Sequence, residues 1–556
     1  MSKLQIVPLG GMGKVTQNMF LYQYEDEILI IDCGIGFPDM YMPGVDILIP
    51  DISYLLGQLE EGNKIVGMIL SHGHDDHIAA TPYILPQLPD FPIFASPLTA
   101  GFAKNRIAES DASDRVITVT QDHKLYQLGK HFQFESFAMT HSVPDTKHLA
   151  IYTPEGIIYH GSDFKLDPTP IDHVLPDYDY ISKISQKGVL CMLMDCLRVE
   201  RTTWTKSESV TGPAIEKALQ NTKGKYIVTL MSSHIHRIQQ VIDIAAKNQR
   251  KVAFIGRSVE QNVEVAVQLK KLHIPDGVMI DKREIGDYLD SKLCLIIAGS
   301  QGQEGSSLVR AVYGDHPIIQ IKADDRVVFS ADAIPGNEIP YFQAIDELSR
   351  NGIEVIYPDI SPDIHQSGHA SAPEQQELLN MVKPQYVLPI GGQDRHRVRF
   401  REVVAKPLGF NEKQVLLPEH GKIIEFEKGK SPAISKSISI RPVHVDGLGI
   451  GDVGPIVLSD RRTLAEAGII VLVIPKDKNG FDLGKITVVS RGFVFMKEAL
   501  EVVEFIKLNT AEIMQDLMKS NSSEEQMKKA IEKRLGRRVN KVIRRTPMIV
   551  PVFVQQ

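Results

Sequence analysis

The sequence predicts an α/β protein of several domains, and three observations carry this prediction. The first 207 residues contain short apolar strands separated by Gly, Pro and Asp turns, among them "EILIIDCG" and "KIVGMILSH". From residue 208 onward helices and strands alternate, which predicts a mostly parallel sheet. The chain has 556 residues. A chain of this length exceeds a single hydrophobic core and indicates about two to four domains.

Changes in this pattern along the chain predict the domain boundaries. The stretch "EKGKSPAISKSIS" has few large apolar residues and is typical of a linker. We predict a first domain at 1–207 that continues at 365–430, an inserted α/β domain at 208–364, a linker at 431–447 and a small α+β domain at 448–556.

The last predicted helix carries both a basic face and an apolar stripe. It begins at a capping box formed by Ser523 and Gln526. Basic residues crowd the segment 528–541, and Met527, Ile531, Leu535 and Val539 form the stripe. A basic amphipathic helix can face RNA. We favour the alternative that the stripe packs in a core and the charges are solvated.

Composition and charge limit the function classes. The chain has 69 acidic and 62 basic residues and a net charge of −7, which argues against indiscriminate polyanion binding but leaves room for a local basic channel. Its four cysteines form no C-x-x-C pair, so a disulfide scaffold or thiolate zinc site is not expected. The N-terminus lacks a signal-peptide core, and no apolar run reaches the length of a membrane span. We therefore expect a cytoplasmic protein without membrane contact.

The segment "SHGHDDHIAA" concentrates residues that bind metals. His72 and His74 stand two apart after the strand "IVGMIL", so an extended backbone aims both to one side. Asp76 and His77 follow directly, where the chain is expected to turn into a helix. Imidazoles and carboxylates together suit zinc and similar divalent ions. The alternative, a polar surface loop, is disfavoured because such loops rarely hold so many ligand-type residues.

Two further ligand candidates end later strands. They are His141 in "FAMTHSVPD" and Asp163 in "YHGSDFKLD". Taken singly, a histidine or aspartate at a strand end is more often structural. Their position after the histidine-rich cluster favours a shared metal site.

The order H-x-H-x-D-H, then a histidine, then an aspartate, resembles the metallo-β-lactamase superfamily. This resemblance implies an αββα sandwich that holds two divalent ions, with Zn²⁺ expected and Mn²⁺ or Mg²⁺ as alternatives. A pair of ions can activate water and stabilise charge on attacking and leaving oxygens. By the resemblance, His72, His74 and His141 bind the first ion, Asp76 and His77 bind the second, and Asp163 bridges both.

The inserted domain narrows the resemblance to the β-CASP nucleases. The stretches "SSHIHRIQQVID", "VVFSADAIPGNE", "IHQSGHAS" and "SRGFVF" are similar to the ribonuclease J family. The resemblance implies a metal-dependent 5′–3′ exoribonuclease, with endonuclease activity as a second mode, on RNA that carries a 5′-monophosphate. It also implies roles in mRNA decay and rRNA maturation, a homodimer or homotetramer, and a paralogous partner subunit.

The resemblance also implies catalytic and RNA-binding residues. Asp76, Asp195 and His369 are expected to take part in catalysis, with His369 stabilising charge or assisting the leaving group. Hydroxyl, imidazole and backbone N–H donors suit a phosphate. The expected substrate-binding residues are Ser233, His234, His236, His365, Gln366, Ser367, Gly368 and His369. The alternative of equal weight is that these are helix caps and loop residues without a ligand.

The chain departs from the family pattern at several positions. In "LPIGGQDRHR", Gly391 stands where the family has a histidine ligand, and Gln393 where it has glutamate. The segment 196–198 lacks the usual Ser-Thr-Asn, and Lys14 replaces a glutamate. His396 lies five residues after Gly391 and is expected to reach the site only if the loop rearranges. These departures motivate an alternative function, a catalytically weakened RNA-binding or partner subunit of a ribonuclease J complex. A small-molecule hydrolase of the same superfamily is disfavoured by the inserted and C-terminal domains.

Overall fold

A computed structural model describes residues 2–39, 41–334, 336–478, 480–493, 500–520 and 522–555. Parts of two family-like stretches, Pro335 and the pair Val494 and Phe495, lie outside the described residues. The chain forms two compact units, one of residues 1–37 and 48–443 and one of residues 38–47 and 444–556. Among the described helices, none has the length and apolar character needed to cross a membrane.

The strands of the described residues are mostly short, as the turn-rich sequence predicts. They are β1 Leu4–Pro8, β2 Phe20–Tyr24, β3 Glu27–Ile31, β4 Ile47–Ile49, β5 Lys64–Leu70, β6 Ile93–Ala95, β7 Ile117–Val119, β8 Tyr126–Leu128, β9 Phe132–Ala138, β10 Lys147–Thr153, β11 Gly156–His160, β12 Val189–Asp195, β13 Tyr226–Thr229, β14 Lys251–Ile255, β15 Leu293–Ile297, β16 Arg326–Phe329, β17 Glu354–Ile356, β18 Tyr386–Ile390, β19 Lys422–Phe426, β20 Ala433–Ser437, β21 Val443–Asp446, β22 Gly449–Ile450, β23 Ile469–Asp477, β24 Gly480–Phe481, β25 Thr487–Arg491 and β26 Met548–Gln555.

The longest α-helices of the described residues lie in the inserted and C-terminal regions. The α-helices are α1 Ser53–Glu60, α2 Asp75–Ile78, α3 Thr81–Ile84, α4 Pro97–Ile107, α5 Tyr178–Lys187, α6 Thr211–Leu219, α7 Ile235–Lys247, α8 Arg257–Gln268, α9 Ser307–Val312, α10 Glu338–Arg350, α11 Ala372–Val382, α12 Asp394–Phe400, α13 Pro455–Ala467, α14 Leu500–Met518 and α15 Glu524–Ile543.

Two sheets of the first unit pack face to face. The eight-stranded sheet has the order β20-β19-β1-β2-β3-β5-β6-β7, and the six-stranded sheet has the order β18-β12-β11-β10-β9-β8. Their inner faces share one buried apolar core that includes Ile6, Leu29, Phe134 and Ile151. Helices α1 and α4 contact the outer face of the first sheet, and α5 and α11 cover the second. The expected αββα sandwich is confirmed.

Side-chain alternation explains why the second sheet can be buried on both faces. In β9, Phe132 and Phe134 point to the core between the sheets, whereas Phe137 points to the core beneath α5 and α11. Residues of opposite parity lie on opposite faces of a strand, so one strand supplies both cores. The chain leaves this sheet after β12 and returns as β18, which pairs with β12 in parallel.

The segment of the chain between β12 and β18 contains a separate five-stranded sheet. Its order is β14-β15-β13-β16-β17, and every pair in it is parallel. The strand β15, "LCLII", is buried throughout. Continuous apolar strands are typical of parallel sheets covered by helices on both faces. The mostly parallel sheet that the alternating helices and strands of the sequence predict is therefore confirmed.

The second unit is the small α+β domain expected at the C-terminus. β23 pairs with β24 and β25 antiparallel and with β26 in parallel. The capping box of α15 is present, with Ser523 N–H donating to Gln526 over 2.9 Å. The stripe Met527, Ile531, Leu535 and Val539 is buried in the domain core. The stripe therefore packs in a core, as we favoured.

The segment 431–447 differs from the expected linker. It contains β20, which pairs with β19 at the edge of the eight-stranded sheet, and β21. An edge strand that is mostly exposed needs few apolar residues, which explains the linker-like composition. The exact domain boundaries remain a prediction.

Candidate active site

Three loops at strand ends bring the first group of predicted ligands together. His72 and His74 follow β5, His141 follows β9 and Asp163 follows β11. The His72 ring centroid lies 5.0 Å from that of His74 and 5.1 Å from that of His141. One potential ligand atom from each of the four residues lies within 4.8 Å of the others. Residues distant in sequence thus converge on one buried point.

A second group shares Asp163 with the first. Asp76, His77 and Asp163 also place one potential ligand atom each within 4.8 Å of the others. The His77 Nε2 atom lies 3.5 Å from Asp163 Oδ2 and 3.7 Å from Asp76 Oδ2. Asp163 therefore lies between two clusters of nitrogen and oxygen donors, and its role as a bridging metal ligand remains a prediction.

The side chains of these clusters fit divalent metal ions. His72 Nε2 is buried and has no hydrogen-bond partner among the described residues. Burial and the neighbouring His77 hold the pKa of His72 well below its usual value, and burial lowers the pKa of His74 to about 3. The rings of His72 and His74 are therefore neutral, which is the form that binds metals. A buried, unpaired ring nitrogen beside carboxylates is the arrangement that a metal ion satisfies.

Asp32 is a buried carboxylate that sequence analysis missed. Its Oδ2 accepts hydrogen bonds from His77 Nδ1 over 2.7 Å and from Ser71 Oγ over 2.8 Å. Its backbone has a φ of +62°, a strained conformation for a residue with a side chain. A carboxylate that holds the far nitrogen of a histidine orients the near nitrogen toward a metal. The only sequence signal was its place at the end of "EILII".

Asp195 and His369 form a third group with Asp163. His369 Nδ1 donates to Asp195 Oδ2 over 2.7 Å, and His369 Nε2 lies 3.8 Å from Asp163 Oδ2. Burial opposes a charge on His369, but Asp195 and Asp163 outweigh it and raise the pKa of His369 to about 9. The hydrogen bond to Asp195 therefore directs His369 Nε2 toward Asp163, at the edge of the two ligand groups.

The loop 365–369 contacts the clusters through its backbone. The carbonyl of Gly368 accepts a hydrogen bond from His141 Nδ1 over 2.7 Å, which leaves His141 Nε2 facing the first group. Ser367 Oγ accepts from the backbone N–H of His369 over 3.1 Å. The side chain of Gln366 donates to the Pro362 carbonyl over 3.3 Å.

The three predicted residues before and within α7 are buried or partly buried. Ser233 is buried, and His234 caps the helix, where its Nδ1 accepts from the Arg237 N–H over 3.4 Å. His236 Nε2 lies 3.2 Å from Asp172 Oδ2. The helix-cap alternative thus describes His234 in this structure, and contact of these residues with RNA remains a prediction.

Arg237 in α7, which the sequence did not point to, forms a buried ion pair with Glu208 and also contacts the loop 365–369. Arg237 donates to both carboxylate oxygens of Glu208, over 2.7 and 2.6 Å. Burial raises the pKa of Glu208, but Arg237 and His234 outweigh it and leave that pKa well below its usual value. The guanidinium also donates to His365 Nδ1 over 2.7 Å.

Gly391 lies beside Asp195 and Asp163. A Cβ atom added at Gly391 would lie 3.3 Å from Asp195 Oδ1 and 3.7 Å from Asp163 Oδ1. A side chain at this position would therefore enter the site. His396 does not replace it, because its Nδ1 accepts from the Gln393 N–H over 3.2 Å and its Nε2 faces Glu200 at 3.7 Å.

Four family models match the chain. They are described as the metallo-beta-lactamase superfamily (residues 12–168), the ribonuclease J beta-CASP domain (223–348), the Zn-dependent metallo-hydrolase RNA specificity domain (360–418) and the ribonuclease J C-terminal domain (456–556). A solved structure titled a protein of unknown function from Enterococcus faecalis aligns with a TM-score of 0.51 at 14% identity, covering 76% of this chain and 100% of that chain. That likeness supports the fold alone.

Curated relatives match along the whole chain. Ribonuclease J of Thermus thermophilus is 34% identical, over 99% of this chain and 95% of its own length. Ribonuclease J 1 of Streptococcus pyogenes is 31% identical, over 100% of this chain and 98% of its own. Ribonuclease J2 of Bacillus subtilis is 31% identical, over 99% and 98%. With its β-CASP insertion and its clustered histidines and aspartates, the chain belongs to the ribonuclease J family.

Proposed function

We propose that the chain is a metal-dependent ribonuclease that hydrolyses RNA phosphodiester bonds. The observation that carries this proposal is the convergence of five imidazole and carboxylate side chains on Asp163, in a chain that is similar over its whole length to proteins named ribonuclease J. The inserted domain and the RNA specificity region support an RNA substrate rather than a small molecule.

Two metal sites would share Asp163. We propose that His72, His74 and His141 hold the first ion and that Asp76 and His77 hold the second, with Zn²⁺ as the expected metal and Mn²⁺ or Mg²⁺ as alternatives. Such ions, when bound, polarise a phosphoryl oxygen and promote attack by water.

Two carboxylates of this chain fix the orientation of histidine rings in the site, and one of these rings can donate a proton. Asp195 fixes the His369 ring through the 2.7 Å hydrogen bond to Nδ1, so Nε2 faces the site. We propose that the Nε2–H of His369 stabilises charge on the phosphate or gives its proton to the leaving oxygen. Asp32 holds His77 by the same kind of contact, which keeps its Nε2 directed at Asp76 and Asp163.

The direction of degradation, the kind of RNA substrate and the biological role are proposed from membership of the ribonuclease J family. We propose 5′–3′ exonuclease activity on RNA with a 5′-monophosphate, endonuclease activity as a second mode, and roles in mRNA decay and rRNA maturation. The loop 365–369 and the start of α7 are the proposed site for the RNA end. A homodimer or homotetramer, a paralogous partner and a cytoplasmic location complete the proposal.

A cleavage assay with labelled RNA tests this function. The purified protein should degrade 5′-monophosphorylated RNA, and a chelator should stop the reaction because it removes the ions held by the histidine and aspartate side chains. Restoring the metal should restore cleavage. Hydrolysis of a thioester or lactam with no cleavage of RNA would contradict the proposal.

The glycine at position 391, in place of the family's histidine, predicts a site that is short of one ligand. Gly391→His should raise the affinity for the second metal ion by about tenfold, the scale of changes around bound metals, and should raise the cleavage rate with it. The backbone φ of +66° adds strain of about 1 kcal/mol to any side chain there. Metal titration followed by mass spectrometry of the bound ions measures the affinity.

Gly391→Ala is the matched control, because it carries the same backbone strain without a ligand atom. It should bind metal no better than the parent. If Gly391→His and Gly391→Ala bind the same amount of metal with the same affinity, the site does not lack a ligand, and the idea of a weakened subunit loses its basis.

A further inference from the structure

All five donors of the Arg237 guanidinium are used within the protein. Nε and Nη2 donate to the two carboxylate oxygens of Glu208, over 2.7 and 2.6 Å. Nη1 donates to the Ser330 carbonyl over 2.8 Å and to His365 Nδ1 over 2.7 Å. Nη2 also donates to the Gln366 carbonyl over 3.0 Å. A guanidinium has no further N–H to give, and Arg237 is 1% exposed.

This network fixes the proton of His365. A guanidinium donates and cannot accept, so Nδ1 must carry the lone pair and the proton must lie on Nε2. Burial and Arg237 together hold the pKa of His365 well below its usual value, so the ring is neutral. His365 is therefore a neutral ring with a single donor, and the position of that donor is set by Arg237.

The free donor of His365 faces a partly open region. Nε2 lies 3.6 Å from Asp332 Oδ2, which is beyond hydrogen-bond distance. The charged and titratable groups around the ring are Arg237, Glu208, His234 and Asp332. No hydrogen bond to Nε2 occurs among the described residues, whereas Nδ1 is fully engaged. The donor is thus available to a ligand.

The contacts of Arg237 extend beyond its ion pair with Glu208. Buried arginine–carboxylate pairs contribute little net stability compared with apolar side chains of similar volume. What Arg237 adds is a fixed geometry, because it joins the start of the inserted domain at Glu208 to His365 and Gln366. The same loop places the Gly368 carbonyl on His141 and carries His369.

We propose that Arg237 is a positioning residue that holds His365 as the Nε2–H tautomer, so that this ring donates a hydrogen bond to a phosphate of the bound RNA. The inference rests on the proposed function, because it names a contact of the same cleft with RNA. Arg237 itself does not touch the RNA.

Two substitutions of His365 test the roles of its two ring nitrogens separately. His365→Asn keeps an acceptor near Nδ1 but has no donor near Nε2, whereas His365→Gln keeps a donor near Nε2. We expect His365→Asn to weaken binding of a 5′-monophosphorylated oligoribonucleotide by about tenfold or more, the scale of a hydrogen bond to a charged group. His365→Gln should bind nearly as the parent. Binding is measured by fluorescence anisotropy in the full-length His74→Ala background, which prevents cleavage. Equal affinities of the two variants, or the reverse order, would overturn the proposal.

Arg237→Lys tests the positioning role directly. Lysine keeps the charge opposite Glu208 but has only three donors, so it cannot serve all five acceptors. We expect the same loss of affinity as for His365→Asn, and no further loss when the two changes are combined, because they remove one shared contact. Additive losses would overturn the proposal. Arg283→Lys, at an exposed pair with Asp281, is the control and should leave affinity unchanged.

A tautomer measurement in the parent protein keeps the proposal testable if Arg237→Lys does not fold. Nitrogen NMR of labelled histidines, assigned by comparison with His365→Gln, should show a neutral ring protonated at Nε2 at neutral pH. Protonation at Nδ1, or at both nitrogens, would overturn the proposal. If the parent bound no RNA at all, the proposed function would fail while the tautomer result would still decide the role of Arg237.

Discussion

His74→Ala is expected to lower the turnover of 5′-monophosphorylated RNA by about three orders of magnitude or more, because a two-metal site supplies several kcal/mol of transition-state stabilisation. His74 lies inside the first ligand group, with its Nδ1 3.1 Å from His141 Nε2. Its other nitrogen contacts Ser142 Oγ, so the change removes a potential ligand and one weak contact. Initial rates on labelled RNA, with thermal unfolding as the check on folding, measure the effect.

His131→Ala is the matched control for this loss. His131 belongs to another group of potential ligands, with Glu25 and Asp26, but that group lies at the surface. Its removal should leave cleavage unchanged, because exposed acidic groups often occur without a metal. If His74→Ala cuts as fast as the parent, the assignment of the first metal site is wrong.

Glu374→Ala is expected to lower the free energy of unfolding by about 3 kcal/mol or more, because it leaves several buried donors without an acceptor. Glu374 is fully buried. Its carboxylate accepts from the backbone N–H groups of Leu166, Thr205 and Ser371, over 3.0, 2.9 and 2.9 Å. Leu166 lies three residues after Asp163 and Ser371 two residues after His369, so we expect cleavage to fall together with stability.

Glu377→Ala on the same helix is the control for Glu374→Ala. Glu377 is exposed, so its loss should change the unfolding midpoint little. Urea unfolding followed by circular dichroism compares both variants with the parent. Equal midpoints for Glu374→Ala and the parent would show that the buried carboxylate does not hold these loops together.

The sequence predicted the fold well where its pattern was periodic. The apolar β15 and its neighbours correctly indicated a parallel sheet, and the stripe from Met527 to Val539 correctly indicated a packed helix. The segment 431–447 was misjudged because an exposed edge strand has the composition of a linker. Pattern alone does not distinguish these two, since neither buries a continuous apolar face.

The candidate metal ligands could be proposed from the sequence because four of them share one short motif, and His141 and Asp163 match the order of a known superfamily. Asp32, Glu374 and the pair of Glu208 and Arg237 were not, because a single carboxylate or arginine gives no periodic or spacing signal. Their roles depend on partners far away in sequence, such as Leu166 for Glu374. Only the folded chain brings these partners together.

Diffraction from crystals grown with zinc or manganese, recorded at the absorption edge of the metal, examines the shared cluster most directly. We expect two anomalous peaks on either side of Asp163, one bounded by His72, His74 and His141 and the other by Asp76 and His77. A well-ordered crystal with no peak there, or with ions bound only elsewhere on the chain, would contradict the metal centre and the ribonuclease activity that depends on it.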